Sequence, residues 1–181
     1  MSEEIIICEY SDEWPRSFRD IGSRLRASLG EAALRIDHIG STAVSGLAAK
    51  PVVDIQITVR RLEPIEAYKA AVEAAGFVHR PENPDLTKRY FRESPGDRRT
   101  HIHVRADGSW SQQCALLFRD YLRVHPEACV EYAAAKRELA AAFRGDRSAY
   151  VEAKEPVVWA ILRKASAWSQ RVGWTPGETD H

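Results

Sequence analysis

The chain has 181 residues, of which 44% are hydrophobic and 29% charged, which is the length and balance of one globular domain. Its 26 basic and 26 acidic residues cancel, so it lacks the basic excess of a protein that coats nucleic acid, and we do not expect a nucleic-acid ligand. Three cysteines without close spacing, a polar N-terminus and no apolar run of about 20 residues predict a cytoplasmic protein with reduced thiols and no membrane segment.

The first third of the chain predicts one helix and two strands. Apolar residues recur at near-helical spacing from Phe18 to Leu29, and Gly30 ends the pattern. Residues 34–39 then predict a strand. Residues 51–59 (PVVDIQITV) predict a second strand, in which alternation places an apolar set on one face and Asp54 on a mostly polar face.

The rest of the chain predicts a second helix, a group of strands and a group of helices. The predicted elements are a helix over 62–75, strands over 77–80, 87–92 and 100–105, and helices over 110–124, 126–143 and 148–168, the last kinked or split at Pro156. Because strands and later helices are segregated, we predict an α+β fold: a mixed sheet flanked by helices, with a helical C-terminal third. We expect a single domain over 1–172 and a disordered tail over 173–181.

The loop between the two early strands carries the residues with the clearest chemistry. Gly40 lets backbone N–H groups approach a ligand closely, and the hydroxyls of Ser41 and Thr42 add donors, a combination that can hold a phosphate. Asp54 follows on the next strand, where its carboxylate can hold a divalent cation against that phosphate. A plain turn followed by a polar edge residue explains the same spacing equally well.

A His-x-His pattern marks the strand predicted over 100–105. His101 and His103 are two residues apart and therefore point to the same face of that strand. Two imidazoles on one face can ligate zinc, nickel or manganese, with Asp54 or His38 as the third ligand. The alternative is a pair of strand histidines that hydrogen-bond to neighbours. For His38, beside the loop, contact with phosphate and a structural role remain equally open.

The segment HIGSTAVSGLAAKPVVDIQI (38–57) resembles the signature of the GrpB-like family, which also occurs fused to some dephospho-coenzyme A kinases. The resemblance runs from about Tyr10 to Trp168. It continues through THIHV (100–104), FRDYLR (118–123), Tyr132 with Lys136, and Tyr150 with Lys154. The family is similar to the DNA polymerase beta-like nucleotidyltransferases, whose fold is a mixed sheet with flanking helices.

In that superfamily a Gly-Ser pair holds the triphosphate, while an Asp-x-Asp pair and a third acid on a later strand bind two metal ions that clamp an in-line displacement. Residues 40–41 match the Gly-Ser pair, and Asp54 matches the first acid. Gln56 stands in the second position, and the later strand carries His101 and His103 instead of an acid. This departure argues against two-metal catalysis.

Four basic residues are candidate phosphate partners. Lys50 follows the loop, whereas Arg119, Lys136 and Lys154 fall at positions that the resemblance marks on the C-terminal helices. The alternative is solvated surface or, for Arg119, a salt bridge with Asp120.

We therefore expect a metal-dependent nucleotidyltransferase-like protein that binds a nucleoside triphosphate at residues 40–42, with Asp54 as the catalytic residue. Magnesium or manganese is the favoured cofactor and zinc the alternative. The acceptor is unknown, and a small molecule or a protein side chain is favoured. Two other functions remain open: an inactive module that binds a nucleotide or a coenzyme A-like ligand, and a zinc-dependent hydrolase that uses His101, His103 and Asp54.

Overall fold

A computed structural model describes residues 4–181, in which one five-stranded sheet is flanked by helices on both faces. The elements are α1 Glu13–Leu29, β1 Arg35–Ile39, β2 Val53–Val59, α2 Lys69–Ala74, β3 Phe77–His79, β4 Arg89–Glu93, β5 Thr100–Ala106, α3 Trp110–Val124, α4 Pro126–Ala142 and α5 Arg147–Val172. This arrangement confirms the predicted α+β class and the helical C-terminal third. No helix within the described range is long and apolar enough to cross a bilayer.

The sheet has the strand order β1-β2-β5-β4-β3, which places β2 and β5 side by side at its centre. These two central strands are parallel, whereas every other neighbouring pair is antiparallel. In the β2–β5 register, Asp54 lies opposite His101 and Gln56 lies opposite His103. The topology therefore brings the predicted carboxylate and the predicted His-x-His pattern to one place.

The two faces of β2 have different environments. Ile55 and Ile57 are fully buried in the main apolar core together with Leu25 of α1 and Val72 of α2. Burying such side chains contributes roughly 1.5–3 kcal/mol each, so this face anchors the sheet. The opposite, polar face is also covered, and Gln56 is completely buried there. Only part of the polar face is therefore open to a ligand.

Two helices differ from their predicted extents. The helix predicted over 62–75 is a short 3-10 turn, Ile65–Ala67, followed by α2, Lys69–Ala74. Pro64 explains the late start, because proline donates no N–H and restricts the residue before it to extended conformations. Conversely, α5 continues through Pro156, which lies on its exposed side, where water can satisfy the carbonyl that loses a helical donor.

The last residues of the chain lie along the free edge of β1. The backbone N–H of Ile36 donates to Thr179 Oγ1 at 2.9 Å, and the backbone N–H of His181 donates to the Ile36 carbonyl at 3.1 Å. The backbone N–H of His38 donates to Asp180 Oδ2 at 3.0 Å. These contacts differ from the expected disordered tail, because an edge strand offers unpaired backbone groups that an adjacent extended segment can satisfy.

Asp180 also reaches a buried arginine. The guanidinium of Arg119 is 2% exposed, and its Nη1 lies 2.6 Å from Asp180 Oδ2. Its Nε donates to Asp120 Oδ1 at 2.7 Å, so the neighbouring residue and the tail together balance its charge. A buried arginine needs such partners, because desolvating an unpaired charge costs several kcal/mol.

Replacing Asp180 by Asn is expected to lower the free energy of unfolding by about 1–3 kcal/mol, because Arg119 loses a charge-assisted partner while remaining buried. Equilibrium urea denaturation measures this change. Glu178→Gln makes the same charge change in the same segment at an exposed side chain, and we expect it to shift stability by less than about 0.5 kcal/mol. Equal effects of the two substitutions would contradict a role for the Asp180–Arg119 contact.

Candidate functional site

The loop after β1 lies directly against the Asp54 side chain, and a glycine makes this possible. Gly40 has φ +70°, and a Cβ at this position would lie 2.9 Å from Asp54 Oδ2 and 3.3 Å from Asp54 Cβ. Two independent constraints, a left-handed backbone and a close approach, therefore require glycine here. The next residues, Ser41–Ala43, form a 3-10 turn that carries the predicted hydroxyls.

His38 supports this loop from behind. Its imidazole stacks on Phe18 with 4.9 Å between ring centroids, and its Nε2 lies 3.0 Å from Thr42 Oγ1. The Thr42 hydroxyl in turn donates to the Val52 carbonyl at 3.2 Å. Burial lowers the pKa of His38 to about 4, so the ring is neutral at physiological pH. His38 thus braces the loop and lies outside the group of metal-ligand atoms described next.

Asp54, His101 and His103 converge on one point of the polar face. Asp54 Oδ1 lies 3.1 Å from His101 Nδ1 and 3.2 Å from His103 Nε2. One ligand atom from each residue lies within 4.8 Å of the other two. Tyr90 of β4 packs beside both imidazoles, with ring centroids 5.6 Å and 5.4 Å away. Three adjacent strands therefore build this group.

The protonation states of the group suit metal ligation. Burial opposes ionisation of Asp54, but hydrogen bonds from His101 and His103 outweigh it and hold the pKa of the carboxyl below its usual range. Burial lowers the pKa of His103 to about 4. At neutral pH the group therefore offers an ionised carboxylate and a neutral imidazole, which are the forms that bind metal ions.

The donor set fits a transition metal better than magnesium. Imidazole nitrogen binds zinc, iron, nickel and manganese, whereas magnesium takes oxygen ligands almost exclusively. Two imidazoles and one carboxylate fill three positions and leave others for water or a substrate oxygen. The remaining ring nitrogens, His101 Nε2 and His103 Nδ1, are buried without a protein hydrogen-bond partner. These are the nitrogens that do not contact Asp54, and a bound water or ligand would satisfy them.

A cavity of about 220 Å³ opens in front of Asp54, between the loop and helices α4 and α5. Among the residues that line it, basic side chains outnumber acidic ones. The basic residues that line it are Lys50, Lys136, Arg147 and Lys154. Among the described residues of the lining, Asp54 is the only acid. A concave surface with four cationic side chains and one carboxylate favours a multiply charged anion.

Lys136 is the most deeply placed of these cations, with 2% of its surface exposed. Its Nζ donates to Ser41 Oγ at 3.0 Å and to the Ala48 carbonyl, and it lies 4.4 Å from the centre of the Tyr132 ring. Burial, followed by repulsion from Lys154, lowers the pKa of Lys136 to about 7. This lysine is therefore poised between its charged and neutral forms.

Two further lysines of the cavity lining contact the ring of the buried Tyr150. Lys50 Nζ lies 5.0 Å and Lys154 Nζ lies 5.6 Å from the centre of its ring. Burial, followed by repulsion from Arg147, lowers the pKa of Lys50 to about 8. Burial also lowers the pKa of Lys154. An anion that entered the cavity would favour the charged forms and reverse these shifts.

The structure brings most of the predicted site residues together. Those at the cavity or in contact with Asp54 are Gly40, Ser41, Thr42, Lys50, Asp54, His101, His103, Lys136 and Lys154. His38 and Arg119 lie behind the loop. Arg147 also lines the cavity and was not among the predicted residues, although its spacing from Tyr150 and Lys154 places the three on one helical face.

The family model described as GrpB protein matches residues 4–164. The chain belongs to the GrpB family. A crystal structure of the conserved protein GrpB from Enterococcus faecalis superposes on this fold with a TM-score of 0.80 and 31% identity, covering 90% of this chain and 99% of that chain. Both comparisons confirm the family to which the sequence motifs pointed.

Family members also occur within longer proteins. A protein named dephospho-CoA kinase from Mycolicibacterium paratuberculosis is 37% identical in an alignment 190 residues long, which covers 91% of this chain and 46% of that protein. The chain spans about half the length of the first curated relatives that it matches.

More distant structures share the fold alone. The Cid1 poly(U) polymerase, crystallised with MgGTP bound, superposes with a TM-score of 0.53 and 15% identity, covering 76% of this chain and 45% of that chain. This similarity confirms the predicted nucleotidyltransferase-like fold.

Gly40→Ala is expected to destabilise the protein, because the new Cβ must displace the Asp54 carboxylate. Gly46→Ala is the matched control: Gly46 has φ +75°, yet nothing lies within 4 Å of its Cβ position. Both substitutions carry a backbone cost of about 1–3 kcal/mol, and we expect Gly40→Ala to cost about 1–3 kcal/mol more. Equilibrium urea denaturation measures the difference. Equal losses in both variants would show that the approach to Asp54 is unimportant.

Proposed function

We propose that the chain binds a nucleoside triphosphate together with a divalent transition metal, and transfers a nucleotidyl group to a small-molecule or protein acceptor. One feature supports this proposal above all others. Asp54 and His101 face the same cavity as the Gly-Ser loop and four basic side chains. A metal-ligand group next to an excess of positive charge fits a ligand that carries several phosphates. The nucleotidyltransferase-like fold agrees with this assignment.

The residues of the site have separable roles in this proposal. Asp54, His101 and His103 would hold the metal ion, with manganese or zinc as the ions that suit their donor set. The metal would supply Lewis-acid polarisation of a phosphoryl oxygen. The Ser41 hydroxyl, held by Lys136, can donate to a phosphate oxygen. Lys50 and Lys154 neutralise the charge of the polyphosphate and orient it.

Loss of metal-dependent binding in Asp54→Asn tests the site assignment. Calorimetric titrations of ATP, CTP, GTP and UTP, each with magnesium, manganese and zinc, are expected to show metal-dependent binding to the unmodified protein. Removing one of three metal ligands should weaken that binding at least roughly 10-fold. Asp107→Asn changes an exposed acid and is expected to leave the affinity unchanged. Undiminished metal-dependent binding in Asp54→Asn would contradict the assignment.

Proton uptake tests the cationic lining. At pH 8 the free protein holds Lys136 and Lys50, whose pKa values are about 7 and about 8, partly in their neutral forms. A bound polyphosphate raises both pKa values, so binding takes up protons, and the affinity falls as the pH rises from 7 to 9. Calorimetry in two buffers of different ionisation enthalpy measures the uptake.

Lys136→Met should reduce this uptake, whereas Lys164→Met, at a lysine paired with Glu131 outside the cavity, should leave it unchanged. Binding without proton uptake in the unmodified protein would show that the lysines do not meet the ligand.

A metal-dependent hydrolase is the second candidate, and the donor set is the observation that favours it. Asp54, His101 and His103 would hold the metal ion, which would supply activation of water for the hydrolysis of a phosphoester. Product analysis separates the candidates. A transferase releases pyrophosphate and attaches the nucleotidyl group to the acceptor, whereas a hydrolase forms its product without an acceptor. Binding without turnover for any acceptor would favour the inactive nucleotide- or coenzyme A-binding module.

A further inference from the structure

The side chains of His103 and Arg105 in β5 reach back along β2, whereas His101 contacts Asp54, the residue directly opposite it. The register places His103 opposite Gln56 and Arg105 opposite Thr58. The hydrogen bonds, however, join His103 to Asp54 at 3.2 Å and Arg105 Nη1 to Gln56 Oε1 at 2.5 Å. These two hydrogen bonds are therefore shifted by two residues from the backbone register of the strands. Arg105 lies next to the metal-ligand group along β5.

Gln56 is enclosed on every side. It has no exposed surface, and its Nε2 donates to the Gln112 carbonyl of α3 at 3.3 Å while its Oε1 accepts from Arg105. A neutral amide at this place satisfies one donor and one acceptor, and it leaves the charge of the arginine uncompensated. An aspartate here would instead form an ion pair with the arginine.

Asp85 and Asp54 attract the Arg105 guanidinium from beyond ion-pair distance. Within residues 4–181 no carboxylate lies at ion-pair distance from its guanidinium, and its buried Nε has no hydrogen-bond partner. A half-buried guanidinium that no carboxylate contacts is costly, so the position of Arg105 beside Asp54 and the two histidines requires an explanation in the chemistry of the site. A second divalent ion next to it would be repelled.

We infer that Arg105 supplies, as a fixed side chain, the positive charge that a second metal ion would provide, so that this site binds a single metal ion per chain. Gln56 holds the guanidinium in place without neutralising it. The inference rests on the metal proposed at Asp54. It deepens that proposal by assigning a positioned cation to Arg105, a residue outside the metal-ligand group.

Metal stoichiometry tests the inference without any turnover. Manganese and zinc titrations, followed by calorimetry and by metal analysis of the dialysed protein, should give one ion per chain for the unmodified protein. Gln56→Asp alone should still bind one ion, because Arg105 pairs with the new carboxylate. Gln56→Asp combined with Arg105→Gln should bind two. The matched control, Gln56→Asp combined with Arg105→Lys, keeps the positive charge and should bind one.

A second measurement does not depend on the double variants being folded. Arg105→Gln alone removes a positive charge near Asp54 and should tighten binding of the single metal ion by roughly 3- to 10-fold, whereas Arg105→Lys should leave it unchanged. Circular dichroism checks that these variants keep the fold.

The possible results distinguish an absent metal site from a wrong role for Arg105. If the unmodified protein binds no divalent metal, the proposed function itself fails at its metal site. If it binds one ion but Gln56→Asp alone binds two, or the Arg105→Gln combination still binds one, the role of Arg105 is wrong while the metal site stands. Unchanged metal affinity in Arg105→Gln would also overturn that role.

Discussion

The parallel pairing of β2 with β5 is the constraint on which the whole site depends. It sets Asp54 beside His101, and the side chain of His103 leans back to the same carboxylate oxygen. Neither strand could build the group alone, because each supplies only part of the ligands. Apolar burial on the other face of β2, where Ile55 is fully enclosed, fixes the two strands rigidly enough to keep these distances.

The cations around Asp54 are arranged at the expense of stability. Lys136 is buried, and no carboxylate of residues 4–181 forms an ion pair with it. The carbonyl of Ala48, the hydroxyl of Ser41 and the face of Tyr132 only partly replace its lost hydration. A protein optimised for stability alone would place an acid or an apolar residue there. An anionic ligand would explain this arrangement. Its binding to the folded protein would offset the free energy lost when the cations are desolvated.

A second layer behind the loop has a mechanical role. His38 connects Phe18 of α1 to Thr42 of the loop, and its backbone N–H binds the carboxylate of Asp180 in the tail. Arg119 completes this layer as a buried cation that contacts Asp120 and Asp180. Positive charge behind the loop is therefore paired with carboxylates, whereas the four cations of the described cavity lining share one carboxylate, Asp54.

The sequence by itself determined the strand and helix periods, the face of β2 that carries Asp54, and the glycine that the loop requires, because these follow from spacing and local backbone chemistry. Only the tertiary structure decided which cations line the cavity. Lys136 meets Ser41 across 95 residues of sequence, and Asp180 meets Arg119 across 61. No local pattern encodes such contacts, since they arise when helices and a terminal segment pack onto a sheet whose strand order is itself non-local.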